Sequence, residues 1–169
     1  MKTIKAPAIL AVISLMLILS ACHHPASEYT AIRELHGHKW PRDSILHFEY
    51  KPLKSGNKDF FVFLANTDHY PYANIYLIVR STKNGKLFAD TLEYEMTDGR
   101  GRWLGVKVGN DYENLLVFKW NVPVDTAETI RFELEPATRN NERLEGDTVL
   151  PGISRVGIVV KPHLTNRAQ

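Results

Sequence analysis

From Pro41 onward the chain alternates hydrophobic and polar residues in short runs. Leu46, Phe48 and Tyr50 alternate with His47 and Glu49, Ile75, Leu77 and Val79 with Tyr76, Ile78 and Arg80, and Leu92, Tyr94 and Met96 with Thr91, Glu93 and Glu95. Leu116, Phe118, Trp120 and Val122 alternate with Val117, Lys119 and Asn121. Ile130, Phe132 and Leu134 do so with Arg131, Glu133 and Glu135, and Val156, Ile158 and Val160 close the set. A period of two turns one face of a strand toward a core and the other toward water. Phe60–Ala65 is apolar throughout, as in a strand covered on both faces. Asn84-Gly85 between two such runs is a strong hairpin signal. Seven or eight strands and no helix of useful length predict an all-β fold. The expected form is a single antiparallel β-sandwich over residues 41–161, of jelly-roll or immunoglobulin-like order. Residues 162–169 read as a tail. The stretch from Pro136 to Pro151 is the longest irregular one, and its length marks a mobile loop or a contact surface.

The first residues break this pattern. Lys2 and Lys5 precede an uncharged stretch, Ala6–Leu19, that is too short for a comfortable membrane span and suits the apolar core of an export signal. Leu19, Ser20, Ala21 and Cys22 follow. They resemble the lipobox of bacterial lipoproteins: an aliphatic residue, two small residues that let a peptidase reach the backbone, and a nucleophilic cysteine. The resemblance implies a signal peptide over 1–21, cleavage before Cys22 and a covalent lipid on Cys22. No other cofactor is called for. Residues 22–40 are polar and aperiodic, and read as a lipid-anchored tether that can join the sheet near its end. His23 stands where an aspartate commonly retains lipoproteins in the inner membrane, so the outer membrane is expected. The first acid after Cys22 is Glu28, and acids close to the cysteine mark surface export in some bacteria; the periplasmic leaflet is therefore favoured.

Charge adds little. The formal net charge of +2 comes from Lys2 and Lys5; the rest of the chain balances its acids and bases. No long-range field draws it to nucleic acid or to anionic lipid. The 169 residues, 44% of them hydrophobic, suffice for one domain with its own core.

Candidate chemistry is sparse. Glu93 and Glu95 share a strand face about 7 Å apart, a spacing that inverting glycosidases use. Glu133 and Glu135 repeat it on another strand, so solvent-facing positions explain both pairs. His23, His24, His36 and His38 gather near the amino end, but spacing fixes no third metal ligand. No Gly-x-Ser-x-Gly elbow or phosphate-binding glycine loop occurs, and Asp98–Gly101 reads as a turn. The chain therefore reads as a non-enzyme without a metal site. Among the aromatics, Trp120 belongs with Leu116 and Phe118 on the face expected in the core. Trp40, Trp103 and the Tyr70–Tyr72 pair lie at strand edges or in loops; packing is the plainer role for them. Tyr70, Tyr72 and Trp103 are the candidate contact residues, for a protein or, alternatively, for a glycan stacked on exposed rings.

Four segments together resemble the gliding motility lipoprotein family GldH: Asn66–Leu77 (NTDHYPYANIYL), Asp90–Tyr94 (DTLEY), Gly101–Gly105 (GRWLG) and Leu150–Ile158 (LPGISRVGI). Their order and spacing, not any one of them, carry the likeness, which runs from about Trp40 to Lys161. Arg155 departs from it, standing where the family tends to be acidic. The resemblance implies a non-catalytic accessory or assembly component of the gliding machinery, which overlaps the type IX secretion apparatus. Its partners would be the membrane, through the anchor, and envelope proteins of that machinery. Loops such as Thr97–Val108 and Pro136–Pro151 are expected to face a partner.

Overall fold

A computed structural model of the chain describes residues 27–138 and 148–164. The export signal, the lipobox, Cys22, His23, His24, most of the tail and the middle of the Pro136–Pro151 stretch lie outside the described residues.

The strands in chain order are β1 (Tyr29–Glu34), β2 (Lys39–Pro41), β3 (Leu46–Tyr50), β4 (Gly56–Thr67), β5 (Asn74–Lys83), β6 (Lys86–Glu95), β7 (Val106–Val108), β8 (Asp111–Val124), β9 (Ile130–Pro136), β10 (Val149–Pro151) and β11 (Ile153–Pro162). A 3-10 turn at His36–His38 is the only helical element among the described residues. One sheet has the order β1-β11-β4-β8-β7, the second β3-β9-β5-β6, and β10 pairs with β2 apart from both. The antiparallel pairs nest: β5 with β6, β4 with β8, β3 with β9 and β1 with β11. That is a long hairpin rolled on itself. It settles the strand order as a jelly roll rather than an immunoglobulin-like sandwich.

The hairpin at the centre of the roll is the one the sequence announces. Asn84 and Gly85 have φ of 51° and 74°, the left-handed pair that a type I′ turn requires. Inward-facing Phe60, Val62 and Leu64 of β4 and Val156, Ile158 and Val160 of β11 meet Ile75, Leu77, Val79, Phe132 and Leu134 from the other sheet. The layers touch through rings, with Phe60 and Phe132 centroids 5.5 Å apart and Tyr50 and Phe60 5.9 Å apart. Strand β4 is central and buried on both faces from Lys58 to Thr67. Phe61, Phe63, Ala65 and Val159 form a small outer cluster, over which Lys161 and Arg155 lie. The long aliphatic stems of such cations cover apolar surface while their heads stay wet.

Residues 29–34, read within a tether that can join the sheet near its end, form the edge strand β1 in full register with β11. The segment has no apolar periodicity because only its inner face is even partly covered, as an edge strand allows. Trp120, expected in the core, is 57% exposed. The register of β4 with β8 shifts between Phe60–Lys119 and Phe61–Val117, and Asn121 adopts φ of 56°. This bulge breaks the alternation. Leu116 and Phe118 still face inward, but Trp120 turns to the outer face and meets Phe61 edge-on at 5.7 Å.

Candidate functional site

Strand direction gives the roll two distinct ends. At one end lie Glu28, the 51–55 and 125–129 loops, the Asn84-Gly85 turn and the chain after Pro162; the register pairs Tyr29 with Val160, Tyr50 with Ile130, Gly56 with Val124 and Lys83 with Lys86. At the other end lie the 3-10 turn, the 68–73 and 96–105 connections, and β2, β7 and β10. Three of the four segments quoted above for the family likeness meet at this second, far end.

Their meeting is held by backbone. Thr67 N–H donates to Gly152 C=O and Gly152 N–H to His38 C=O, each at 2.8 Å. Gly152 has φ of 79°, and a Cβ there would lie 2.3 Å from the Tyr70 backbone nitrogen, so glycine is required on both counts. Gly105 is tight in another way: a Cβ would come 2.8 Å from the Asn114 side chain. Asn114 in turn donates to Asn66 Oδ1 at 3.0 Å. The Asp98 carboxylate accepts from the Arg100 and Arg102 backbone N–H groups and from the Arg102 guanidinium, closing the expected turn. Those bonds, the Arg102 backbone N–H foremost, hold the Asp98 carboxyl below the usual range. The fourth segment ties the two sheets together: Tyr94 Oη donates to Val117 C=O at 2.7 Å, and burial with the nearby Asp90 charge pushes its phenol up to about 12.

The three candidate contact residues come together. Tyr70 lies 5.7 Å from Tyr72 and 6.2 Å from Trp103, and Trp103 lies 5.7 Å from Tyr112. The cluster packs on the core rather than opening to solvent. Tyr70 is 3% exposed, and its hydroxyl donates to Asn74 C=O at 2.8 Å; Tyr72 and Trp103 are half-buried. An open ring face for a stacked sugar is therefore absent at Tyr70. Trp40 is fully buried, with its indole N–H given to Ser44 C=O.

What does stand open at this end is a neighbouring strip that the sequence reading included only as part of a loop. Leu104, Val106 and Val108 are 54%, 71% and 49% exposed. Val106 and Val108 belong to the edge strand β7, which pairs only with β8 among the described residues. The alternation Val-Lys-Val between Gly105 and Gly109 was the available signal, too short to register as a strand. Arg155, the departure from the family pattern, is not a free surface charge. It donates to Asp111 and Glu113 at 2.9 Å each; burial opposes its charge, but these bonds prevail and raise its pKa.

Elsewhere, three of the four candidate carboxylates, Glu93, Glu133 and Glu135, have partners, and Glu95 lies exposed on its strand. Glu93 accepts from Tyr76 Oη at 2.6 Å and Asn74 Nδ2 at 2.7 Å, which lowers its pKa, while Glu135 bonds Arg80. Each carboxylate with a shifted pKa moves downward (Glu28, Glu49, Glu93, Asp98 and Glu128), opposite to a general acid. A cleft of about 310 Å³ between the sheets is lined mainly by Phe60, Phe88, Phe118, Val122, Ile130 and Phe132, with no carboxylate on its walls. His36 and His38 flank Gly37 on the 3-10 turn, and no three metal-binding side chains gather among the described residues.

Comparison with known proteins agrees with the segments. A gliding motility lipoprotein GldH homolog of Christiangramia forsetii is 33% identical over 150 residues, covering 86% of this chain and 90% of the relative. The gliding motility lipoprotein GldH of Flavobacterium johnsoniae is 31% identical over 127 residues, or 74% of this chain and 79% of its own. Among solved structures, the infectious bursal disease virus VP2 subviral particle aligns with 85% of this chain and 35% of its own, at 12% identity and a TM-score of 0.35. The pattern of the GldH lipoprotein family matches residues 27–160. With that match spanning the described fold from its first strand to its last, the chain belongs to the GldH lipoprotein family.

Proposed function

We propose that this chain is a non-catalytic outer-membrane lipoprotein, an accessory or assembly component of the gliding motility and type IX secretion machinery. A lipid on Cys22 holds it in the periplasmic leaflet, and its far end faces a protein partner. The observation that carries the reading is the polarity of the roll. The lipid-bearing segment enters at Glu28, while the open strip Leu104–Val108 and the convergent family segments lie at the opposite end. An edge strand with two exposed valines offers unpaired backbone groups as well as apolar area, the combination used in strand addition by a partner. The paired, down-shifted carboxylates support a non-catalytic role. The names of the relatives point the same way.

Deletion of the gene tests the proposal. Loss of surface motility or of type IX secretion, restored by the intact gene but not by Cys22→Ala, is the expected result. Normal motility and secretion in the deletion strain would refute it.

A further inference from the structure

The end of the roll at which Glu28 enters has a surface of its own. Leu53, Leu87 and Leu164 are 76%, 63% and 61% exposed there. They occupy separate corners. Leu53 is on the loop between β3 and β4, Leu87 follows the turn between β5 and β6, and Leu164 follows β11. Strands β3 and β6 are the two edges of the four-stranded sheet, roughly 14 Å apart, and Leu53 and Leu87 lie beside opposite edges. Basic residues accompany them. Lys51 pairs with Glu49 and Lys83 with Glu128, but Lys54 and Lys86 are exposed and have no ion-pair partner among the described residues. Separated apolar side chains at loop tips, interspersed with unpaired lysines, form a poor core and a good fit to the headgroup layer of a bilayer. Leucine can enter the acyl boundary there while lysine meets anionic headgroups.

Chain length gives this surface its neighbour. Glu28 lies six positions after Cys22, a span of at most about 20 Å. Strand β8 alone, with 14 residues, is about 45 Å long. A lipid on Cys22 thus keeps the Glu28 end against the membrane and holds the far end away from it. We infer that this end is a membrane seat: Leu53, Leu87 and Leu164 insert into an anionic phospholipid surface, Lys54 and Lys86 contact its phosphates, and the roll stands upright with β7 pointing outward. The inference rests on the proposed Cys22 anchor and adds to it the face that meets the bilayer.

The test uses the lipidated chain in vesicles of phosphatidylethanolamine and phosphatidylglycerol. Cys22 is the only cysteine and its thiol is consumed by acylation, so Leu53→Cys, Leu87→Cys, Val117→Cys and Leu104→Cys each place one spin label. All four positions are exposed, and none of the substitutions disturbs packing. Labels at 53 and 87 should be several-fold more accessible to oxygen, relative to a water-soluble nickel chelate, than the label at 104. Adding Lys54→Glu and Lys86→Glu should shrink that difference. Vesicle-bound protein whose labels at 53 and 87 are as wet as that at 104 would overturn the seat and leave the anchor standing. Burial of the label at 117 in their place would mean that the roll lies on its outer sheet face, and would also overturn it. Failure to float with vesicles at all would sink the anchor and the seat together.

Discussion

The Lys58 ammonium is bonded to the Glu28 carboxylate inside the roll, with only 5% and 9% of the two side chains exposed. Glu28 also accepts Tyr50 Oη at 2.7 Å and Leu53 N–H at 3.1 Å, so one carboxylate ties the entering chain to β3, β4 and the loop between them. The pair is thus a clamp at the point where, under the proposed Cys22 anchor, pull from the membrane would reach the fold.

Removing one partner leaves an uncompensated buried charge. Lys58→Met should cost about 3–5 kcal/mol, and Lys58→Met with Glu28→Gln should recover most of it. Urea denaturation measures both, and additive losses in the double variant would contradict the coupling. The clamp also sets an acid response. Burial alone would raise the Glu28 pKa, but its bonds from Lys58, Tyr50 and Leu53 N–H outweigh that and hold it below the usual value. A depressed folded pKa contributes stability that is present above the unfolded carboxyl value of about 4.3 and lost as pH falls through the lower folded value. Denaturation midpoints taken from pH 6 down to about 2 should fall less steeply in Glu28→Gln than in the parent chain.

Gly152 joins two of the family-like segments, and alanine there meets both a left-handed φ and backbone atoms of His69 and Tyr70. Backbone strain alone is worth about 1–3 kcal/mol, and the clash adds to it. Gly85→Ala has the same sign of φ but nothing within 4 Å, so it should lose only about 1 kcal/mol. Equal midpoints for the two variants would show that the far end is not held as described.

Two tryptophans separate packing from exposure. Trp103→Ala removes a half-buried ring from the Tyr70–Tyr112 stack and should cost about 2 kcal/mol, below the roughly 3–5 kcal/mol of a fully buried Trp. Trp120→Ala removes a ring 57% exposed and should cost under about 1 kcal/mol. Thermal unfolding of the pair reads this directly; the reverse order would restore Trp120 to the core.

The same residues show what a sequence can disclose. Ile75, Leu77 and Val79, Phe132 and Leu134, and Val156, Ile158 and Val160 all face the core, because strand period and burial coincide wherever one face is fully covered. Asn84-Gly85 named its turn because few dipeptides accept two positive φ values. Trp120 misled because a bulge is a property of two strands together, and β8 alone carries no mark of its register against β4. Strand β1 was hidden because an edge strand needs little apolar pattern. Of the candidate contact residues, proximity was legible for Tyr70 and Tyr72 but not for Trp103; packing, the plainer role expected for all three, holds for buried Tyr70 and half-buried Tyr72 and Trp103. The Glu28–Lys58 clamp joins residues thirty positions apart, and nothing local signals it.

In the proposed role, an anchored, non-catalytic roll offers its far end to a partner in the motility and secretion machinery. The most direct measurement is an affinity pull-down of the tagged, lipidated chain from detergent-solubilised envelopes, beside Cys22→Ala and a Leu104→Asp, Val106→Asp variant. The exposed positions of the latter should leave stability within about 0.5 kcal/mol. Gliding or type IX secretion components should co-purify with the parent chain and be lost from the Leu104, Val106 variant while its fold and anchor persist. A parent chain that is anchored yet brings down none of them, or a variant that retains them all, would contradict the account.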